Sequence, residues 1–115
     1  MKPLRFVGSS YQELCAFPRD VYRNIGRALM VAQLGQKAAN AKPLKGFVGS
    51  GVLEVIEDHR GDTYRAIYTV RFASAIYVLH CFQKKSPRGG KVPRLNRELM
   101  EKRLRDAARI EKEGA

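Results

Sequence analysis

Arg65 is the side chain in this sequence whose setting most invites chemistry. It lies in the run DTYRAIYTVRF at residues 62–72, which alternates with the period-two pattern of a half-buried strand. Tyr64, Ala66, Tyr68, Val70 and Phe72 fall on one face, and Arg65, Ile67, Thr69 and Arg71 on the other. Neither helix capping nor core packing accounts for an arginine there, so the pattern predicts a face open to an anion, from which Arg65 can be removed without loss to the core. A planar, bidentate guanidinium is the better phosphate clamp among cations. Cleavage of RNA by its own 2′-hydroxyl needs a proton removed, a charged phosphorane stabilised and the 5′-oxygen protonated. Positioned arginine and lysine supply the second requirement directly. A lysine crowded by other cations can also donate or accept the proton. Lys84 and Lys85 end the next strand, where alternation lets only one reach the open face. Thr69 and Arg71 extend a phosphate track, Lys45 can reach the face from the preceding loop, and Arg88 and Lys91 stand in the basic loop that follows.

Two further groups could move protons. His80 sits in an apolar strand, where a histidine is as readily a satisfied core residue as a catalytic one. Glu57 stands with Asp58 and Asp62 in one polar turn; a solvated hairpin is the commoner meaning of such a cluster. No HxxxH, CxxC, nucleophile-elbow or dinucleotide pattern occurs, so no metal and no cofactor is expected. Cys15 and Cys81 read as small hydrophobes in a reducing compartment.

The elements that must position these groups follow from periodicity. Leu4 to Val7 is a strand candidate, and Ser10 with Glu13 has capping-box spacing for a brief helix stopped before Pro18. Pro18 suits the first turn of a second helix, whose apolar stripe is Val21, Ile25, Ala28, Leu29 and Ala32, ending near Gly35. Arg19, Arg23 and Arg27 line a different face of it, either simply solvated or touching an RNA backbone. Residues 38–51 read as a glycine-rich connector, and Val52 to Glu57 as a strand with Leu53 and Val55 on the core side. The strand from Ala75 to Gln83 is apolar on both faces, hence internal, and the N-terminal strand is placed beside it. A last helix opens after Pro93, with Arg103 inside its apolar arc, and docks by its first two turns. The order β-α-α-β-β-β-α predicts an α+β domain: a twisted, mainly antiparallel four-stranded sheet with helices on one face.

A chain of 115 residues with 44% hydrophobic content makes one domain, spanning residues 1–115. Its 22 Lys and Arg outnumber 11 Asp and Glu, for a net charge of +11, which favours a polyanion or an acidic protein as partner. The excess is uneven. Residues 1–43 carry net +5, residues 44–82 carry zero and residues 83–115 carry +6, so the few cations of the sheet need individual reasons. No secretory leader pattern and no apolar run of about 20 residues is apparent, and a cytoplasmic location without membrane contact is expected.

Three pieces in order carry a resemblance: Gly51-Val52-Leu53-Glu54, then Gly61-Asp62 with Tyr64-Arg65, then Leu79-His80 with Phe82 and Lys84-Lys85. Together they resemble the phage-related, HigB-like branch of the RelE/ParE toxin superfamily. The resemblance implies a RelE-like fold and a metal-independent endoribonuclease acting on messenger RNA, usually at the ribosome. It also implies an inactivating partner, a helix-turn-helix antitoxin of the HigA-like kind. Arg65 matches the strand arginine such toxins use at the scissile phosphate, and Lys84 and Lys85 match the basic end of the last strand. Ile56 departs from the pattern, standing where many members carry Arg or Lys. ParE relatives share the scaffold yet inhibit DNA gyrase without cutting RNA, and a phage-derived nucleic-acid-binding module without toxicity is a third possibility.

Overall fold

The computed structural model describes residues 1–47, 49–84 and 94–114. Its elements are β1 (Leu4–Phe6), α1 (Ser10–Cys15), α2 (Arg19–Gln33), β2 (Ala41–Pro43), β3 (Val52–His59), β4 (Asp62–Thr69), β5 (Ile76–Lys84) and α3 (Arg94–Gly114). The sheet has five strands in the order β1-β5-β4-β3-β2, with β1 parallel to β5 and the rest antiparallel. The predicted partnership of β1 with the doubly apolar β5 is observed.

Two expectations are corrected. The sheet has five strands rather than four, because residues 41–43 of the expected connector pair with β3, Ala41 opposite Val55 and Pro43 opposite Leu53. Three residues are too few to show a period, and Pro43 is tolerated because β2 is an edge. Helices also cover both faces, not one. The stripe of α2 and Leu14 of α1 pack on Val55, Tyr64, Ala66, Tyr68, Ile76 and Val78. On the opposite face Met100 and Ala107 of α3 pack on Ile67, Tyr77 and Leu79. Both β4 and β5 carry apolar residues on each side, and each layer needs its own cover. Helix α3 docks well beyond its first two turns: near its end Glu111 accepts hydrogen bonds from Ser74 and from the Tyr77 hydroxyl. Among the described residues no helix is long and apolar enough to cross a membrane.

Helix α2 ends as expected: the amides of Gly35 and Gln36 return to the carbonyls of Ala32 and Val31. The β3–β4 turn is tighter than the sequence suggested, since β3 runs on through His59, which pairs with Asp62. Only Arg60 and Gly61 remain in the loop, with φ of 51° and 85°, the left-handed pair that a two-residue hairpin of this twist demands. Arginine gains nothing from that conformation, whereas asparagine tolerates it. Arg60→Asn should therefore stabilise the domain by roughly 0.5–1 kcal/mol, read as a higher urea midpoint at unchanged slope.

A register shift between Ile67 and Tyr68 leaves Leu79 of β5 without a partner, since Ile67 faces His80 and Tyr68 faces Val78. This bulge puts Leu79 and His80 consecutively toward the α3 side. It decides what lies under α3.

Candidate functional site

The face of the sheet that carries α3 holds most of the chemistry. Strand pairing places Ile56 opposite Arg65, Arg65 opposite Phe82, and Thr63 opposite Lys84. Arg65, Phe82 and Lys84 thus share this face with Glu54, two residues before Ile56 on β3.

Arg65 is not on an open surface. Its side chain is 13% exposed, and its Nη1 donates to Glu54 Oε2 at 2.8 Å. The Glu54 carboxylate is 4% exposed, and its other oxygen lies 3.9 Å from Lys42 Nζ. Glu54 is the partner that sequence reasoning missed; a single glutamate between the apolar pairs Val52-Leu53 and Val55-Ile56 gives no sign of which arginine it will meet. Arg65 Nε is buried and has no hydrogen-bond partner among the described residues. A buried N–H donor without an acceptor costs on the order of 1–3 kcal/mol, so the guanidinium is set to receive one. Lys84, half-buried, lies on the same face at the end of β5.

His80 lies deeper, under α3. Its Nδ1 is 2.8 Å from Glu13 Oε1, and its ring stacks on Phe82 with centroids 4.9 Å apart. Arg103 completes the cluster. Its Nη1 donates to Glu13 Oε1 at 3.1 Å and to the Leu79 carbonyl at 2.8 Å, and its Nη2 donates to Glu13 Oε2 at 3.2 Å. Gly8 lies against this guanidinium: its φ is +57°, and a Cβ there would sit 3.0 Å from Arg103 Nε. Glu13 also accepts from the Cys81 amide at 3.1 Å and from Ser9 Oγ at 2.8 Å. It is Ser9, not Ser10, that precedes α1, and Ser10 is buried with its hydroxyl on the Val78 carbonyl. Burial alone pushes the Glu13 carboxyl up. The hydrogen bonds from Arg103, Cys81, His80 and Ser9 outweigh it and bring the group down from 4.5 to about 2. Burial, followed by the Glu13 charge, pushes the Cys81 thiol up to about 12, so it is an inert core sulfur.

Several expected site residues are separated from Arg65. Glu57 lies on the α2 side of the sheet, where Asn24 Nδ2 donates to it at 2.6 Å, so it cannot share a substrate with Arg65. The reason is parity: Ile56 faces Arg65, and its neighbour must face the other way. Thr69 is fully buried, its hydroxyl donating to the Gly51 carbonyl and accepting from the Arg71 amide, which leaves nothing for RNA. Arg71 lies past the end of β4, exposed, with its guanidinium 6.0 Å from the Phe72 ring, rather than in line with Arg65. Lys45 is exposed in the loop after β2. Lys85, Arg88 and Lys91 lie outside the described residues.

Residues 12–105 match the model of the family described as phage-derived protein Gp49-like (DUF891), a toxin-like family of the RelE/HigB type. No curated protein matches the chain.

Two outcomes follow from the carboxylates. Because Glu13 titrates lower folded than unfolded, its contribution is complete above about pH 4.5 and is lost as pH falls toward about 2. The side chain is 23% exposed, so screening by water trims that contribution to about 2 kcal/mol. Urea midpoints of wild type and Glu13→Gln should differ at pH 6 and converge as pH falls toward 2. Arg65→Ala, contrary to the expectation for an open face, should cost about 3 kcal/mol by stranding buried Glu54. Joint replacement by Glu54→Leu and Arg65→Met should recover most of it; equal midpoints for Arg65→Ala and wild type would refute the pairing.

Proposed function

The chain belongs to the phage-derived Gp49-like family, and from that premise we propose that it is the toxin of a type II toxin–antitoxin pair, a HigB-like endoribonuclease that cuts messenger RNA. The observation that carries the reading is the Arg65 guanidinium, held by buried Glu54 on one nitrogen and left with a buried Nε that has no partner among the described residues. An arginine fixed by a carboxylate is preorganised, so it loses little freedom when an anion arrives. Lys84, on the same face, supplies a second positive charge and a proton. No step runs through a metal. The 2′-hydroxyl attacks its own phosphate and gives up its proton to solvent water, Arg65 stabilises the phosphorane, and Lys84 protonates the departing 5′-oxygen, leaving a 2′,3′-cyclic phosphate. His80 is occupied by Glu13 and Arg103 and acts by holding Phe82 and the end of β5 in place. The HigB-like resemblance makes the ribosome the place of cutting and a helix-turn-helix antitoxin the partner.

Ile56 favours a second reading. It lies directly opposite Arg65, so the cation that many relatives carry would stand beside the guanidinium, and here it is a hydrocarbon. A ParE-like toxin that inhibits gyrase needs no such cation.

Both readings meet in one experiment. Arg65→Lys keeps the Glu54 ion pair but loses the fork, and should lower cleavage roughly a hundredfold, or about 3 kcal/mol, at little cost in stability. Lys84→Met should lower it at least about tenfold, the worth of one weak proton donor. Growth arrest on induction is scored with 5′-end mapping of transcripts and circular dichroism. Folded variants that still arrest growth and give the parent's cut ends would remove Arg65 and Lys84 from the chemistry. Arrest with intact transcripts and broken DNA would select gyrase.

A further inference from the structure

Helix α2 contains a glycine that no tertiary contact among the described residues requires. Gly26 is not among the positive-φ residues, and a Cβ built on it meets nothing beyond its own helix backbone within 4 Å among the described residues. A mid-helix glycine costs roughly 0.5–1 kcal/mol against alanine, so the intrachain fold is worse off for it. Its place on the helix is informative. Tyr22 and Met30 stand four residues to either side, on the same ridge, 37% and 53% exposed. Between two protruding apolar side chains Gly26 makes a notch through which another backbone can approach closely. A second ridge runs alongside. Arg19, Arg23 and Arg27 are each three residues before a member of the first, about 60° round the helix. All three are exposed and none meets an acidic group among the described residues.

We infer that this face of α2 is a docking surface for an acidic amphipathic helix of another protein. Its apolar side would sit in the notch between Tyr22 and Met30, and its carboxylates would lie along the arginine ridge. The geometry is that of ridges into grooves, with a small residue at the crossing point. Charge decides the occupant: a second copy of this chain would bring three more arginines against these three, in a molecule already at +11. RNA would use the arginines but has no need of the notch or of Met30. The inference rests on the toxin–antitoxin reading and makes the docked helix the antitoxin's, on the face of the sheet opposite Arg65. Inhibition would then leave the Arg65 surface uncovered by this contact.

The probe is the product of the reading frame adjoining this gene, co-expressed with the chain and purified as a complex. After separation in guanidinium and refolding, dissociation constants are measured for wild type, Gly26→Gln, the double variant Arg23→Gln/Arg27→Gln, and Arg109→Gln on α3 as control. Gly26→Gln should raise the unfolding midpoint, because the site is open and glutamine is the better helix former. It should nevertheless weaken the complex at least tenfold. The double arginine variant should weaken it and flatten its salt dependence, and the control should do neither. Unchanged affinity for Gly26→Gln in a complex that does form overturns the docking surface and spares the toxin reading. No complex at all overturns both. A wild-type homodimer that Gly26→Gln dissociates assigns the face to self-association, and loss of RNA binding with the complex intact assigns it to RNA; either result overturns the inference.

Discussion

Three elements from distant parts of the chain meet on one ion pair, Glu13 with Arg103, and most of the architecture depends on it. Strand β1 pairs with β5 only as far as Phe6 and Val78, so the second half of β5 would otherwise show a bare edge. Glu13 stands in for the missing strand by accepting the Cys81 amide, and the same carboxylate receives both arms of Arg103. The arginine in turn bonds the Leu79 carbonyl, at the residue the bulge leaves out of the β4–β5 register. A polar group, a loose edge and a sheet irregularity thereby satisfy one another. Removing any one of them would leave buried polar atoms unpaired.

That arrangement also sets how the α3 side of the sheet is covered. By fixing α3 over Leu79 and His80, it buries this half of the face and takes His80 out of reach. What remains beyond is the patch of Ile56, Arg65, Phe82 and Lys84. Among the described residues this sheet face therefore has one half buried beneath α3 and a second half that is only partly buried.

Much of this was legible from spacing. The α2 stripe, the internal position of β5, β1 beside it and the core side of Leu53 and Val55 all follow from periods of 3.6 and 2, which burial enforces strongly. The cover on the second face was not. Arg103 interrupts the apolar arc of α3, and only its distant partner Glu13 explains why a cation belongs there. The bulge at Leu79 was also invisible, because an unpaired residue inside an apolar run leaves no mark on the pattern. As for the candidate site, alternation places Arg65 on its face, whereas Lys84 and Lys85 enter together through the resemblance, and strand pairing is what puts Lys84 on that face. Glu57 has the parity of Leu53 and Val55 and so lies on the α2 side, a placement hidden when it is grouped with Asp58 and Asp62 in one polar turn.

Arg65 and Arg103 form a comparison within one molecule. Both are arginines on the α3 side of the sheet, and each is bonded to a glutamate. Arg103 has bonds to a carboxylate, a backbone carbonyl and the Ser9 hydroxyl, and the described structure leaves none of its buried nitrogens unsatisfied. Arg65 has one bond to Glu54 and a buried Nε with none among the described residues. If Arg65 served only to neutralise Glu54, an apolar pair of similar volume would do as well or better, since a buried ion pair seldom outweighs its own desolvation. An incompletely satisfied guanidinium is a standing cost, and such costs cluster where a ligand or transition state removes them. Arg103 is therefore the fastener of the fold, whereas Arg65 keeps a buried donor that no acceptor among the described residues satisfies.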